Sequence, residues 1–327
     1  MPAGAYNISA KGRVHERFTF LAEQCAKANG GADCAIPADG RAFKKAGKRW
    51  RKAAYSRAVR WPDDPTDQGN VLGGAKFVIN LALNECEPWL GDGKPFAGLT
   101  CNSHFGQFQF MHAMRSTAEE SSAQTREMML EWTRFLSQVV RNEIDPERNW
   151  CEAVAGRGSL SSALAPQGFP YCVDRTEGGK TFKAWSVRTF FTFSCHNPFT
   201  SARCNERIGP GGVEMARRNA RGALLHMIQD SYSASHTARG GEDEDGPYKP
   251  VVTCLPVTRH YLYKTNKPAH ADADKFPDFA ECGAAERKVL DPVTASARML
   301  VLLDSTDADA TGQAVRLIDE GVLGKTS

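Results

Sequence analysis

The run Ala223–Arg239, "ALLHMIQDSYSASHTAR", is an apolar helical stretch interrupted by His226, Asp230 and His236. Imidazole nitrogens and carboxylate oxygens are the donor mix that suits Zn²⁺ better than Ca²⁺ or Mg²⁺. On a helix, positions i and i+4 share a face about one turn apart, so His226 and Asp230 can converge on one cation. His236 stands ten residues after His226, which is about 15 Å along a continuous helix. Two arrangements are open: the helix breaks within "SYSAS", or His236 serves a neighbouring ion. Both imply more than one metal, with Asp230 free to bridge two.

Other ligand-type residues recur along the chain. His270 and Asp274 in "HADADK" repeat the i, i+4 spacing, and Asp63 and Asp64 follow Trp61 in "RWPDDP". His15 opens "VHERFTFLAEQC", and His104 begins "HFGQFQFMHAM". A lone histidine on an apolar helix is ordinarily a core residue with its hydrogen bonds satisfied. Several such positions, combined with spaced carboxylates, favour ligation. His112, His196 and His260 are read as structural.

Helical periodicity dominates the elements that must position these residues. Helices are expected over Val14–Ala28, most of Arg41–Val59, Phe105–Met114, Ser122–Val140 and Val213–Ser231. Two more are expected near Val293–Leu303 and Ala308–Gly321. In Ser122–Val140 the stripe Met129, Trp132, Phe135, Leu136 and Val139 reads as core. No run of strands with hairpin signals stands out. The expected fold is therefore all-α, a single large helical domain over residues 1–327. Residues 145–212 fade into Gly, Pro, Ser and Cys, and predict a long irregular insertion pinned by disulfides.

Ten cysteines without a Cys-x-x-Cys pair argue against a zinc ribbon or thioredoxin-type site, and for disulfides in an oxidising compartment. Cys25 with Cys34, and Cys195 with Cys204, could each close a local loop. The first twenty residues lack the apolar core of a signal peptide. The expectation is a secreted or periplasmic protein whose leader has been removed. No window approaches eighteen consecutive apolar residues, so no transmembrane segment is expected. Arg41–Arg60 carries nine Lys/Arg and no acid. It is either a solvated face or an attractor of phosphates, from lipid head groups or nucleic acid. The acidic "GGEDEDG" at Gly240–Gly246 reads as a solvated loop, with carboxylates enough for a loose Ca²⁺.

Taken in order, these residues resemble the superfamily of bacterial zinc-dependent phospholipases C and fungal-type single-strand nucleases. The most specific match is His226-x3-Asp230-x5-His236. The pair His270/Asp274, the loop–helix His104, the Trp61-Pro62-Asp63 element and the early helical His15 follow in the family's order. "HFGQFQFMHAM" and "IQDSYSASH" further resemble a little-studied bacterial branch. The resemblance implies an all-helical protein with a trinuclear zinc cleft. Asp63, His104, His226 and Asp230 would hold the first ion, and His236, His270 and Asp274 the second. His15 with bridging Asp230 would hold the third, where family members add the amine and carbonyl of an N-terminal tryptophan that this chain lacks. Asp64 can stand in for Asp63, and either can orient the attacking water. Two to three Zn²⁺ and a phosphodiesterase of the phospholipase C type are implied, with peripheral contact to a membrane surface. A single-strand nuclease or 3′-nucleotidase is the alternative enzyme. A disulfide-rich helical binding protein with structural metal is the alternative from another class.

Overall fold

The computed structural model describes residues 13–32, 34–63, 99–192, 210–240, 254–263 and 288–324. Asp64, His196, His270, Asp274, Cys86, Cys195, Cys204, Cys282 and most of the acidic Gly240–Gly246 run lie outside them. The described chain is mostly helical.

Helix α1 is Val14–Asn29, ended by Gly30 in the left-handed conformation, with φ of 67°. A residue without Cβ takes that conformation at little cost. The expected helix over Arg41–Val59 is broken instead. A short α2, Gly40–Ala46, is followed by 3-10 turns at Gly47–Lys52 and Ala58–Arg60. Two causes are visible. A Cβ on Gly47 would stand 2.7 Å from the stem of Arg17, so α1 presses on the backbone there. Like charges at i, i+4, such as Lys44/Lys48 and Lys45/Arg49, also repel along a regular helix. Eight of the cations (Arg41, Lys44, Lys45, Lys48, Arg49, Arg51, Lys52 and Arg57) are exposed, and among the described residues none forms an ion pair.

The helix expected over Phe105–Met114 is displaced and split into α3, Leu99–Phe105, and a 3-10 turn at Gln109–His112. Gly106 follows α3 at a close approach, where a Cβ would meet Asn102 Oδ1 at 2.6 Å. Helix α4, Ser122–Val140, has the expected bounds, with a reciprocal cap between Ser121 and Gln124. It buries Met129, Trp132, Phe135, Leu136 and Val139 as expected.

The segment 145–212 is more ordered than expected as far as it is described. It holds α5 (Trp150–Val154), α6 (Ser159–Leu164) and α7 (Val187–Thr192). It also holds an antiparallel ribbon of β1 (Arg175–Glu177) and β2 (Lys180–Phe182). Gly178 and Gly179 turn that ribbon at φ of 56° and 73°, the positive values a two-residue hairpin turn requires. Trp150 meets Phe135 of α4 edge-on at 5.5 Å between centroids and seats the segment on the main core.

Helix α8, Pro210–Asp230, packs on α4 and α7 and on the 3-10 turn at Ala58–Arg60. A second ribbon follows, β3 (Thr237–Arg239) against β4 (Val257–His260), with Thr237 opposite His260 and a bulge between Ala238 and Arg239. The mostly helical chain agrees with the expected helical fold; the two ribbons were not expected, and their strands of three or four residues are too short to show alternation. Helices α9 (Pro292–Asp304) and α10 (Ala310–Arg316) close the described fold, α9 against α1 and α10 against α4. No described helix is long and apolar enough to cross a membrane.

Cys25–Cys34 closes the loop after α1, as its spacing suggested, and Cys151–Cys172 pins the 145–192 segment. Cys254 is disulfide-bonded too. Thiol titration of the denatured, unreduced protein is expected to find few free groups. A count of eight or more would contradict an oxidised protein.

Candidate metal centre

Seven histidine and aspartate side chains from distant parts of the chain meet in the interior. His15 comes from the first turn of α1, and Asp63 follows the turn at Ala58–Arg60. His104 lies on α3 and His112 on the Gln109–His112 turn, while His226 and Asp230 lie on the last turns of α8. His236 completes the set. All seven are at most 3% exposed. Burying two carboxylates this completely costs several kcal/mol each unless cations or donors compensate.

The helix-break alternative for His236 is the one the structure adopts. Helix α8 stops at Asp230, and Ser231–His236 folds back through successive turns, with Ser233 N donating to Asp230 O at 2.8 Å and His236 N to Ser233 O at 3.0 Å. Arg239 braces the turn by donating from Nε to Ser231 O at 3.0 Å and from an Nη to Val322 O at 2.9 Å. The His236 ring thereby returns to within 3.5 Å of Asp230 Oδ2.

Asp230 is the hub. Its Oδ2 lies 2.9 Å from His226 Nε2 and 2.9 Å from His112 Nδ1, and its Oδ1 lies 3.3 Å from His15 Nε2. Burial alone would raise this carboxyl, but His226, His236 and His15, with the His112 hydrogen bond, hold it well below the usual range. Asp63 behaves oppositely. Burial pushes it well above the usual range, with Asp230 adding to the effect and His15 opposing it. Burial would lower His15, yet the Asp230 carboxylate overrides this and raises it to about 9. His226 yields to burial and falls to about 3.

The far sides of the rings are held as metal-ligating imidazoles are. His15 Nδ1 pairs with Gln229 Oε1 at 2.8 Å, His226 Nδ1 with Val59 O at 2.7 Å, and His236 Nδ1 with His112 O at 2.7 Å. Donation from Nδ1 to an oxygen fixes the tautomer that offers Nε2 as a lone pair. Gln229 is itself steadied by donating from Nε2 to Thr19 Oγ1 at 3.2 Å. Asp63 Oδ1, Asp230 Oδ1 and His112 Nε2 are buried with no hydrogen-bond partner among the described residues. Two groups, His15/His226/Asp230 and Asp63/His104/His112, each bring three donor atoms within 4.8 Å of one another and could hold metal ions.

Of the expected ligands, His15, Asp63, His104, His226, Asp230 and His236 converge, and Asp64, His270 and Asp274 lie outside the described residues. His112, expected to be structural, is instead inside the cluster. Its only signal in the sequence is its place in the same short block as His104. Gln229 and the Val59 carbonyl were equally unmarked. His260 keeps the structural role expected of it, pairing from Nδ1 with Ala113 O at 2.8 Å at the end of β4. A groove of about 600 Å³ lined by Glu23, Lys27, Tyr55 and Asp304 contains no member of the cluster.

No protein-family profile, curated protein or solved structure matches the chain.

Proposed function

We propose that the protein is a zinc-dependent phosphodiesterase of the phospholipase C type, holding two to three Zn²⁺ in this cluster. The observation that carries the proposal is Asp230, one buried carboxylate facing four imidazoles, with an imidazole nitrogen within 3.3 Å of each of its oxygens. Zinc, when bound, supplies Lewis acidity to phosphate oxygens and a water acidic enough to ionise near neutral pH. The chain's own part is positional. Gln229 and Val59 aim His15 and His226, Asp230 spans the two groups of donors, and Asp63 adds the second carboxylate. Asp63 would hold the metal through one carboxylate oxygen and keep the other to orient a water; Asp64 is the alternative for that role. The family resemblance would add His270 and Asp274, which lie outside the described residues, to His236 as ligands. Structural zinc is normally four-coordinate, closed and rich in cysteine. A donor set of this size without cysteine speaks against a purely structural role.

The basic face favours a lipid over a nucleic-acid substrate. Single-strand binding needs aromatic faces for base stacking. Phe43 is buried, and the two part-exposed aromatics here already carry guanidinium groups, Arg13 and Arg51 at 5.1 and 4.9 Å from the Trp50 ring centre and Arg221 at 4.8 Å from that of Tyr55. What remains is a field of exposed cations that form no ion pair among the described residues, suited to the head groups of an anionic bilayer.

Metal analysis of carefully purified protein is expected to give two to three zinc ions, lost on chelation together with activity. One ion or none would defeat the proposal. Parallel assays on phosphatidylcholine and single-stranded nucleic acid are expected to favour the lipid. The reverse preference would move the protein to the nuclease class.

A further inference from the structure

We infer that His112 is a metal ligand, coordinating through Nδ1 in a tetrahedral set with Asp63, His226 and Asp230. The inference rests on the zinc reading above but departs from the expected ligand set, which assigns His112 no role and gives its place to His104.

The first support is shape. Among His112 Nδ1, His226 Nε2, Asp230 Oδ2 and Asp63 Oδ1, five separations are fixed: 3.0, 2.9, 2.9, 4.0 and 3.6 Å. Their average is about 3.3 Å, the edge of a tetrahedron built on zinc bonds of about 2.0–2.1 Å. Two side chains come from the end of α8, one from the 3-10 turn before it in space, and one from the segment after Trp61. Sequence-distant donors thus enclose a volume the size of one ion.

The second support is the proton count. His226 donates from Nδ1 to Val59 O, so the neutral ring presents Nε2 as an acceptor. Asp230 Oδ2, as a carboxylate oxygen, is an acceptor as well. These two atoms nevertheless lie 2.9 Å apart. With the His226 ring neutral, a proton on His112 Nδ1 serves one of them and none is left between the two acceptors. A divalent cation inside the set turns that repulsion into shared coordination. Asp63 Oδ1, buried and without a hydrogen-bond partner among the described residues, closes the fourth corner. His104, whose donor lies within 4.8 Å of those of Asp63 and His112, is left outside this four-atom set and available to a neighbouring ion.

The test reads metal, not turnover. In wild-type protein, the first equivalent of Co²⁺ should give the strong visible absorption of a four-coordinate site. His112→Ala should lose one zinc ion per chain or weaken that ion's affinity more than about 100-fold in chelator competition, beyond the usual cost of an outer-shell change. His112→Asn, whose amide oxygen can occupy the Nδ1 position, should retain more affinity than His112→Gln, which reaches toward Nε2. His260→Ala, which removes a histidine equally buried but outside the cluster, should keep the full metal content. A wild-type cobalt spectrum of weak, six-coordinate type overturns the inference without any variant needing to fold. So does a His112→Ala protein with unchanged zinc number and affinity, and that result leaves the zinc reading intact. Wild-type protein that binds no zinc overturns both.

Discussion

Asp230→Asn is expected to lose at least one zinc ion per chain and more than about 100-fold of the phosphodiesterase activity, while the helical fold persists. The amide keeps the size and planarity of the carboxylate but not its charge. In the structure that charge faces His15, His112, His226 and His236 at once. A change at a metal-orienting partner commonly costs about 10–100-fold. Asp230 should exceed that range because both groups of donors share it. His15→Ala is the fitting comparison, since it removes one terminal donor and should cost less. Folding rests on other contacts, namely the apolar face of α8, the packing of α4 and the disulfides. Zinc content, activity and circular dichroism on the two variants decide the matter. An Asp230→Asn protein that keeps its zinc and more than about a tenth of its activity would reduce the cluster to core packing with polar interruptions. In that event the same substitution would register only as stability, because opening a buried ion pair costs about 3–5 kcal/mol.

The parts of this site legible in the sequence are those set by helical spacing. His226 and Asp230 share a face because i and i+4 must, and α8 and α4 end close to where their apolar patterns end. His15 was legible for the same reason, at the start of an amphipathic helix. What escaped was set by backbone breaks and long-range contact. Residues 41–59 read as one helix, yet Gly47 against Arg17 and the repulsion of neighbouring cations turn them into short 3-10 pieces. That break delivers the Val59 carbonyl to His226. His112 escaped because its neighbours Phe110 and Met111 are core residues, and nothing local separates a core histidine from one turned toward a carboxylate 118 positions away. The return of His236 depended on Arg239 bracing the serine turn, a contact between side chain and backbone with no periodic signature.

A large effect is also expected at a residue that bears no functional group. Gly222→Ala is expected to destabilise the protein by about 3 kcal/mol, the upper end of overpacking costs, and to weaken zinc binding with it. Gly222 lies on the face of α8 that meets the turn Ala58–Arg60. A Cβ there would stand 2.2 Å from both C and O of Ala58 and 2.7 Å from Val59 N. Those atoms are backbone, so no rotamer change relieves the overlap, and the two segments must part. Parting them moves the Val59 carbonyl off His226 Nδ1, now 2.7 Å away. It also displaces Asp63, four residues further along the chain. The fold and the metal centre therefore fail together at this position, although alanine is by propensity the better helix former by about 1 kcal/mol. Gly211, near the start of the same helix, has open space where a Cβ would stand, with nothing within 4 Å. It supplies the control: Gly211→Ala should leave zinc content unchanged and stability equal or slightly higher. Thermal melts and chelator competition on both variants read the two effects separately. A Gly222→Ala protein with wild-type stability would mean that α8 does not press on the Ala58–Arg60 turn. Wild-type zinc affinity in a destabilised protein would mean that the Val59 carbonyl does not position His226.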